Sequence, residues 1–349
     1  MGAGDTAAWN RTVFTSERGE VSIAGVIAAA HFRGEIEPLW REVHALAQRE
    51  DRDVDDAALQ AMSEQFRSER DLISAEETER WLEARGLTLE DFSDYFRRRF
   101  WKDATGEKVE PEAFDSSAEH RDLLRVELLL SGEFDRMAVR LAWRVAAGGE
   151  CAPDAVESER GRFLERAGFD DEWLARLGRD QSWLDEMLKL EAAYRRQCDA
   201  LLTPEARERM LNALRLPLKR VELETVDLES RDAAREAFFC VREDGVAMAE
   251  VAKNGRYPYR RDEIVLEDLP AELRQKILCA ASGEMLEPIA RGDGFQLCRI
   301  IRKIEPDLAD AQTRSRVEQR IVEDHFSELA AGCVRWMIPP SSTYDRGPR

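Results

Sequence analysis

The chain has 349 residues, of which 71 are acidic and 52 basic, so its formal net charge is −19. This charge opposes binding to nucleic-acid phosphates, which attract basic surfaces. An apolar share of 43% supplies enough hydrophobic side chains for packed cores, although 35% of the residues are charged. Composition therefore predicts a globular protein, and the length allows two or three domains.

Membrane, metal and cofactor sites receive no support from the sequence. No run of about 18 apolar residues occurs, and the small, polar start of the chain does not resemble a secretion signal. The six cysteines form no C-x-x-C pair, and the four histidines show no metal-binding spacing. We therefore expect a cytoplasmic protein with free thiols that binds no membrane, metal or cofactor.

The acidic residues concentrate in the first two-thirds of the chain. Residues 1–216 carry 46 acidic and 31 basic side chains, whereas residues 217–338 carry 24 and 19. The first part is also predicted to be helical, because apolar residues recur at helical spacing over 36–47. Ser74 and Glu77 form a capping-box pattern before a helix that ends near Gly86. No strand is predicted before residue 217.

The second part of the chain alternates strands and helices. Polar and apolar residues alternate over 218–226, which predicts a half-buried strand, and residues 294–301 form a more apolar, central strand. The remaining predicted elements are helices at 231–239, 247–253, 270–281 and 309–331 and a short strand at 334–338.

The order of these elements and one local motif resemble the parvulin-type peptidyl-prolyl isomerase domain. The motif is a helix from Leu273 that ends at Gly283-Glu284, followed by Pro288 and then by Gly294-Phe295-Gln296-Leu297. The resemblance is firmer over 217–304 and looser over 21–338, where the helices are similar to those of SurA-type chaperones. Parvulin-related proteins of ribosomal-peptide maturation systems are the most similar group.

The resemblance implies an α+β fold: a mostly helical, SurA-like region, a parvulin-like domain with a four-stranded antiparallel sheet and flanking helices, and a carboxy-terminal helix that returns to the helical region. The expected segments are a flexible amino terminus (1–20), helical modules (21–103 and 104–216), the parvulin-like domain (217–304), the returning helix and strand (305–338) and a disordered tail (339–349).

The two histidine positions of the parvulin active site are replaced in this sequence. Val221 stands at the first and Gln296 at the second, and the glycine-rich loop before the third helix is replaced by the shorter segment 253–261. Valine can neither donate nor accept a hydrogen bond, so we expect weak or no isomerase activity. The resemblance then implies a peptide-binding groove formed by Val221, Met248, Leu269, Leu273, Cys279, Phe295 and Gln296.

One basic and aromatic cluster occurs in this acidic chain. Its residues are Lys253, Arg256, Tyr257, Tyr259, Arg260 and Arg261. The cluster fits the docking of an acidic peptide beside the groove. The alternative is a solvated loop whose charges pair with Asp262, Glu263 and Glu267, since surface ion pairs are common and weak.

The predicted function is chaperone-like handling of a peptide or unfolded-protein client, such as a precursor peptide, without nucleic acid. The alternative is an enzyme, either a residual prolyl isomerase or a peptide-modifying enzyme built on the same scaffold. A Cys-His pair at Cys279 or Cys298 is poorly supported because residues 217–304 contain no histidine.

Overall fold

A computed structural model describes residues 7–36, 39, 55–105, 118–167, 169, 172–292 and 294–341 of the chain. These residues form two compact units. The helical unit takes in Met1–Ala200 and Asp324–Arg346, and the sheet unit takes in Leu201–Glu323. The division is coarser than the six predicted segments, whose boundaries stay a prediction.

The helical unit contains most of the helices and a small sheet. Its helices are α1 (Ile23–Phe32), α2 (Asp56–Glu69), α3 (Ala75–Ala84), α4 (Leu89–Thr105), α5 (Ala118–Ser131), α6 (Glu133–Ala147), α7 (Pro153–Ala167), α8 (Trp173–Arg176) and α9 (Gln181–Leu201). The predicted capping box is present, since Ser74 accepts from the Glu77 amide and Glu77 accepts from the Ser74 amide. The predicted helical stripe lies outside the described residues from position 40 onward.

The prediction of a flexible start and of no strand before residue 217 is wrong. Strands β1 (Thr12–Ser16) and β2 (Gly19–Ser22) form a hairpin, and β1 also pairs with β7 (Arg335–Trp336). Within β1, Val13 and Phe14 are buried. These strands are too short to show a clear alternation of polar and apolar residues. One partner of β1 lies more than 300 residues away in the sequence, so no local pattern predicts the strands.

The core of the helical unit is formed mainly by α1, α5 and α6. Seven of the ten residues of α1 are buried. Five of them belong to the same apolar cluster as most apolar residues of α6 and the buried residues of β1. Several tryptophans of the helical unit lie in or against its apolar clusters. Trp143 and Trp173 are buried, and Trp81 and Trp183 are partly buried.

The sheet unit contains a four-stranded antiparallel sheet with the order β4-β3-β6-β5. Its strands are β3 (Arg220–Leu228), β4 (Tyr259–Val265), β5 (Met285–Arg291) and β6 (Gly294–Ile304). Its helices are α10 (Pro204–Ala213), α11 (Arg231–Arg242), α12 (Met248–Gly255) and α13 (Ala271–Cys279), and α14 (Ala311–Cys333) begins in it. The prediction of an α+β fold with this kind of sheet is confirmed.

One strand of this sheet lies where a loop was predicted. The segment 253–261 instead ends α12 at Gly255 and begins β4 at Tyr259. The strand is hard to predict from the sequence because four consecutive residues in its middle, 260–263, are charged and exposed. Charged residues on an edge strand discourage pairing with another chain. The opposite edge, β5, carries Pro288 and an irregular register, which serve the same end.

The two faces of the sheet cover separate apolar clusters. We call the front face the side of β3 that carries Val221, Leu223 and Asp227, and the back face the side that carries Val226 and Leu228, because successive side chains of a strand alternate. The front cluster includes α13, and the back cluster includes α11 and α12. The alternation over 218–226 is thus confirmed as a strand, with an apolar residue on each face.

Candidate functional site

The predicted groove residues do not lie together. Five of them belong to the front face or its helix, and two belong to the back face. The front residues are Val221, Leu269, Leu273, Gln296 and, at the end of α13, Cys279; the back residues are Met248 and Phe295. A single groove cannot contain both sets, because the sheet separates them.

The two positions matched to parvulin histidines are also far apart. Val221 pairs with Lys303 at one end of β3, whereas Gln296 pairs with Asp227 at the other end. Six residues of extended strand correspond to about 20 Å. Val221 is completely buried beneath the front cluster. Val221 therefore has a packing role, whereas the Gln296 end of the front face carries exposed charged groups.

A polar cluster, formed by Asp227, Gln296, Arg260 and Arg291, lies at that end of the front face. The Gln296 amide nitrogen donates to Asp227 Oδ1 at 2.7 Å, and the Arg260 guanidinium donates to Asp227 Oδ2. Arg291 lies 4.0 Å from the same carboxylate. Gln296 is only 6% exposed, whereas both arginines are half exposed or more. A buried amide is thus held in place by a carboxylate, with two exposed cations beside it.

Apolar side chains adjoin the polar cluster on the same face. Ile289 of β5 pairs directly with Gln296, and Leu286 of β5 pairs with Cys298. Directly opposed residues of neighbouring strands share a face. Ile289 and, from α13, Leu273 are only partly buried against the front cluster. The open end of the front face therefore combines a fixed amide, two cations and partly exposed apolar groups, which suits the binding of an extended peptide.

Gln296 was predicted from the sequence, whereas Asp227, Arg291 and Ile289 were not. Arg260 was included only in the basic cluster. The missed residues belong to β3 and β5, and their convergence depends on the register of these strands with β6. The sequence does contain one signal for this cluster: Asp227 is the single acidic residue in the otherwise largely apolar second half of β3.

Two cysteines of this unit belong to the front cluster or to helix α13 beside it. Cys298 is completely buried in the front cluster, and burial raises the pKa of its thiol to about 12. Its thiol is therefore protonated near neutral pH. Cys279 is exposed at the end of α13 and has no described histidine beside it. The front face offers a client hydrogen bonds, charge and apolar contact.

The basic cluster is divided between helix α12, which contains Lys253, the turn that follows it, which contains Arg256 and Tyr257, and strand β4. Arg260 pairs with Asp227 on the front face, and Arg261 donates to Glu222 at 2.8 Å on the back face. Tyr259 donates to Glu224 at 2.9 Å, also on the back. The alternative of ion-paired charges is therefore correct for the two strand arginines, but their partners lie on β3 and not at positions 262, 263 and 267.

Other candidate sites are sparse among the described residues. No group of three or more His, Cys, Asp or Glu side chains there could hold a metal ion. None of the helices in this part of the chain has the length and apolar composition needed to span a bilayer. Two described surface cavities of about 470 and 410 Å³ are lined by residues outside the polar cluster.

Comparisons with known proteins found likeness in structure alone. No family model matches the chain, and no curated protein matches it. Solved structures similar to it include the peptidylprolyl isomerase PrsA from Bacillus cereus, with 13% identity and a TM-score of 0.37 over 58% of this chain and 83% of that one. The foldase protein PrsA from Lactococcus lactis gives 12% identity and a TM-score of 0.27 over 92% and 89%. TM-scores this low do not assign a fold, so the α+β fold of this chain rests on its own four-stranded sheet.

Proposed function

We propose that this protein binds peptides in a chaperone-like manner and that the open end of the front face is the binding surface. The supporting observation is the buried Gln296 amide, which Asp227 holds beside the partly exposed Ile289. A side-chain amide offers both a donor and an acceptor to a peptide group. The neighbouring apolar side chains would receive an apolar residue of the client, such as proline.

The exposed cations define the preferred client. Arg260 and Arg291 flank Asp227, so the cluster has more positive than negative charge. We propose clients that are acidic or neutral around the bound residue, because complementary charge favours encounter and register. The sequence resemblance to peptide-maturation proteins supports a precursor peptide as the natural client.

A direct test uses the full chain and three fluorescein-labelled peptides that differ only in the residue before a central proline: Glu, Ala or Lys. Fluorescence anisotropy should rank their affinities as Glu above Ala above Lys. Arg291→Gln should weaken the Glu peptide about 3- to 10-fold and leave the Ala peptide nearly unchanged. Gln296→Ala should weaken all three peptides, because the amide contacts the main chain.

Arg302→Gln is the matched control, because Arg302 has the same 62% exposure as Arg291 but bonds to Glu222 on the back face. Equal effects of the two substitutions would contradict a front-face site. The enzyme alternative is tested with a proline-isomerisation assay. If the protein isomerised proline peptides as fast as an ordinary parvulin and Gln296→Ala abolished this activity, the protein would be an enzyme and the chaperone-like function would be wrong.

A further inference from the structure

A second candidate site lies in the helical unit, where the carboxyl ends of α2, α3 and α5 meet. Arg70 donates to the Phe66 and Leu130 carbonyls in the last turns of α2 and α5. Arg85 donates to the Trp81 carbonyl in the last turn of α3. Helix carboxyl ends carry partial negative charge and unpaired carbonyls, so the two arginines neutralise them.

One carboxylate shares this site with the arginines. Asp135 lies in the first turn of α6, where a negative charge is favourable. Arg85 and Asp135 are only 4% and 6% exposed, respectively. The Arg85 guanidinium lies 3.9 Å from the centre of the Trp81 ring. Burial lowers the pKa of Arg85, and Asp135 opposes this change. Hydrogen bonds to these groups are strong because little water competes for them.

The segment that follows β7 occupies the site. Arg85 Nη2 donates to the Pro339 carbonyl at 3.2 Å. The Ser341 amide and hydroxyl both donate to Asp135 Oδ2, at 2.8 and 2.7 Å. Proline rings fix the backbone, and a residue before proline is extended. The site therefore recognises a carbonyl and, two residues later, an amide and a hydroxyl of an extended chain. This part of the expected disordered tail is thus ordered through Ser341.

The anchoring of this segment changes at Ile338. Up to Ile338 the chain is held by the pairing of β7 with β1 and by burial, since Ile338 is 5% exposed. Beyond Ile338 the described polar contacts are the three hydrogen bonds to Arg85 and Asp135. The segment can therefore leave the site without disrupting the sheet or the core.

We propose that this site is a docking site for an extended Pro-Pro-Ser peptide and that residues 339–341 of the chain occupy it as a tethered ligand. Two of the three contacts are to main-chain atoms, and the third needs only a hydroxyl, so a separate peptide of this sequence offers the same groups. The Nε atoms of Arg70 and Arg85 are buried without a hydrogen-bond partner, so the site has donor capacity that the tethered segment leaves unused. Tethering gives an effective concentration in the millimolar range, which keeps a weak site filled and blocks competing peptides.

The test empties the site without altering its walls. Ser341→Pro in the full chain removes the amide hydrogen and the hydroxyl and leaves Asp135 and Arg85 intact. The probe is a fluorescein-labelled peptide with the sequence of residues 339–343, Pro-Pro-Ser-Ser-Thr. We expect the Ser341→Pro chain to bind it at least ten times more tightly than the unaltered chain, because the tethered competitor is lost. Adding Asp135→Asn should weaken binding about tenfold or more.

Two controls assign the result to this site. A probe in which proline replaces the first serine should bind the Ser341→Pro chain no more tightly than the unaltered chain. Gln296→Ala lies in the other unit and should leave the ratio of the two chains' affinities for the Pro-Pro-Ser probe unchanged, which separates this site from the proposed front-face site. Absent or equal binding by the two full chains, or no effect of Asp135→Asn, would overturn the proposal.

Hydrogen exchange gives a second and independent readout. The Ser341 amide should be protected in the unaltered chain and should lose that protection in the Asp135→Asn chain. Rapid exchange of this amide in the unaltered chain would show that the segment is not docked. A thermal unfolding scan of each variant verifies that the helical unit remains folded, so that a binding result reflects the site alone.

Discussion

Two groups of ion-paired side chains, one in each unit, differ in how far they are exposed. In the helical unit, Arg144 of α6 and Glu191 of α9 form a two-bond pair in which each side chain is 13% exposed. In the sheet unit, Glu222 bonds to Arg261 and Arg302, whose side chains are 53% and 62% exposed. Buried pairs are costly to break, whereas exposed pairs are screened by water and salt. The same residue types therefore form a largely buried pair in one unit and an exposed cluster in the other.

The largest expected effect comes from breaking the buried pair. Arg144→Met leaves the Glu191 carboxylate buried without its cation, which should lower the free energy of unfolding by about 3–5 kcal/mol in urea titration. The double variant with Glu191→Met should regain part of the loss, because it removes the uncompensated charge. A single-variant effect below about 1 kcal/mol would erase the contrast between the units.

The same pair predicts a pH dependence. The nearby Arg144 lowers the pKa of Glu191 despite its burial. Because the folded pKa lies below the unfolded one, this pair stabilises the protein above the unfolded value and loses that contribution as the pH falls through the folded pKa. Glu191→Gln should therefore reduce the loss of stability below about pH 4.5. Urea titrations of both proteins between pH 3 and 7 would detect this, and parallel pH curves would contradict it.

Two glycines, one in each unit, allow the backbone packing of the units to be compared. A Cβ added at Gly294 would lie 2.6 Å from the Leu228 carbonyl oxygen, between the central strands. Gly294→Ala should therefore destabilise the protein by about 1–3 kcal/mol. Gly161, inside helix α7, has nothing within 4 Å of an added Cβ. Gly161→Ala should stabilise the protein by about 0.5–1 kcal/mol. Equal signs for these two substitutions, measured by urea titration, would contradict the packing described.

The smallest effect is expected on the sheet surface. Arg261→Gln removes an exposed partner of Glu222, which keeps its bond to Arg302 at 2.6 Å. The urea midpoint should remain within measurement error of the unaltered protein, and 0.5 M salt should change both proteins alike. A clear loss of stability would show that the surface pairs of the sheet contribute as the buried pairs do.

Local patterns determined much of the fold. The alternation over β3, the apolar run of β6 and the capping box at Ser74 each depend on neighbouring residues, so the sequence predicts them correctly. Strands β1 and β4 were not predicted from the sequence, because β1 is very short and β4 is an edge strand with a charged middle. Their identity depends on partners distant in the sequence, which local periodicity does not encode.

The sequence by itself determined the α+β class, the acidic helical part and the position of Gln296 in the closing strand. Only the tertiary structure decided which side chains share a face. Strand register joined Gln296 to Asp227 and separated it from Val221 and Phe295. The meeting of three helix ends placed Asp135 and Arg85 around Ser341. Both sites join residues more than 60 positions apart, and their geometry follows from long-range packing.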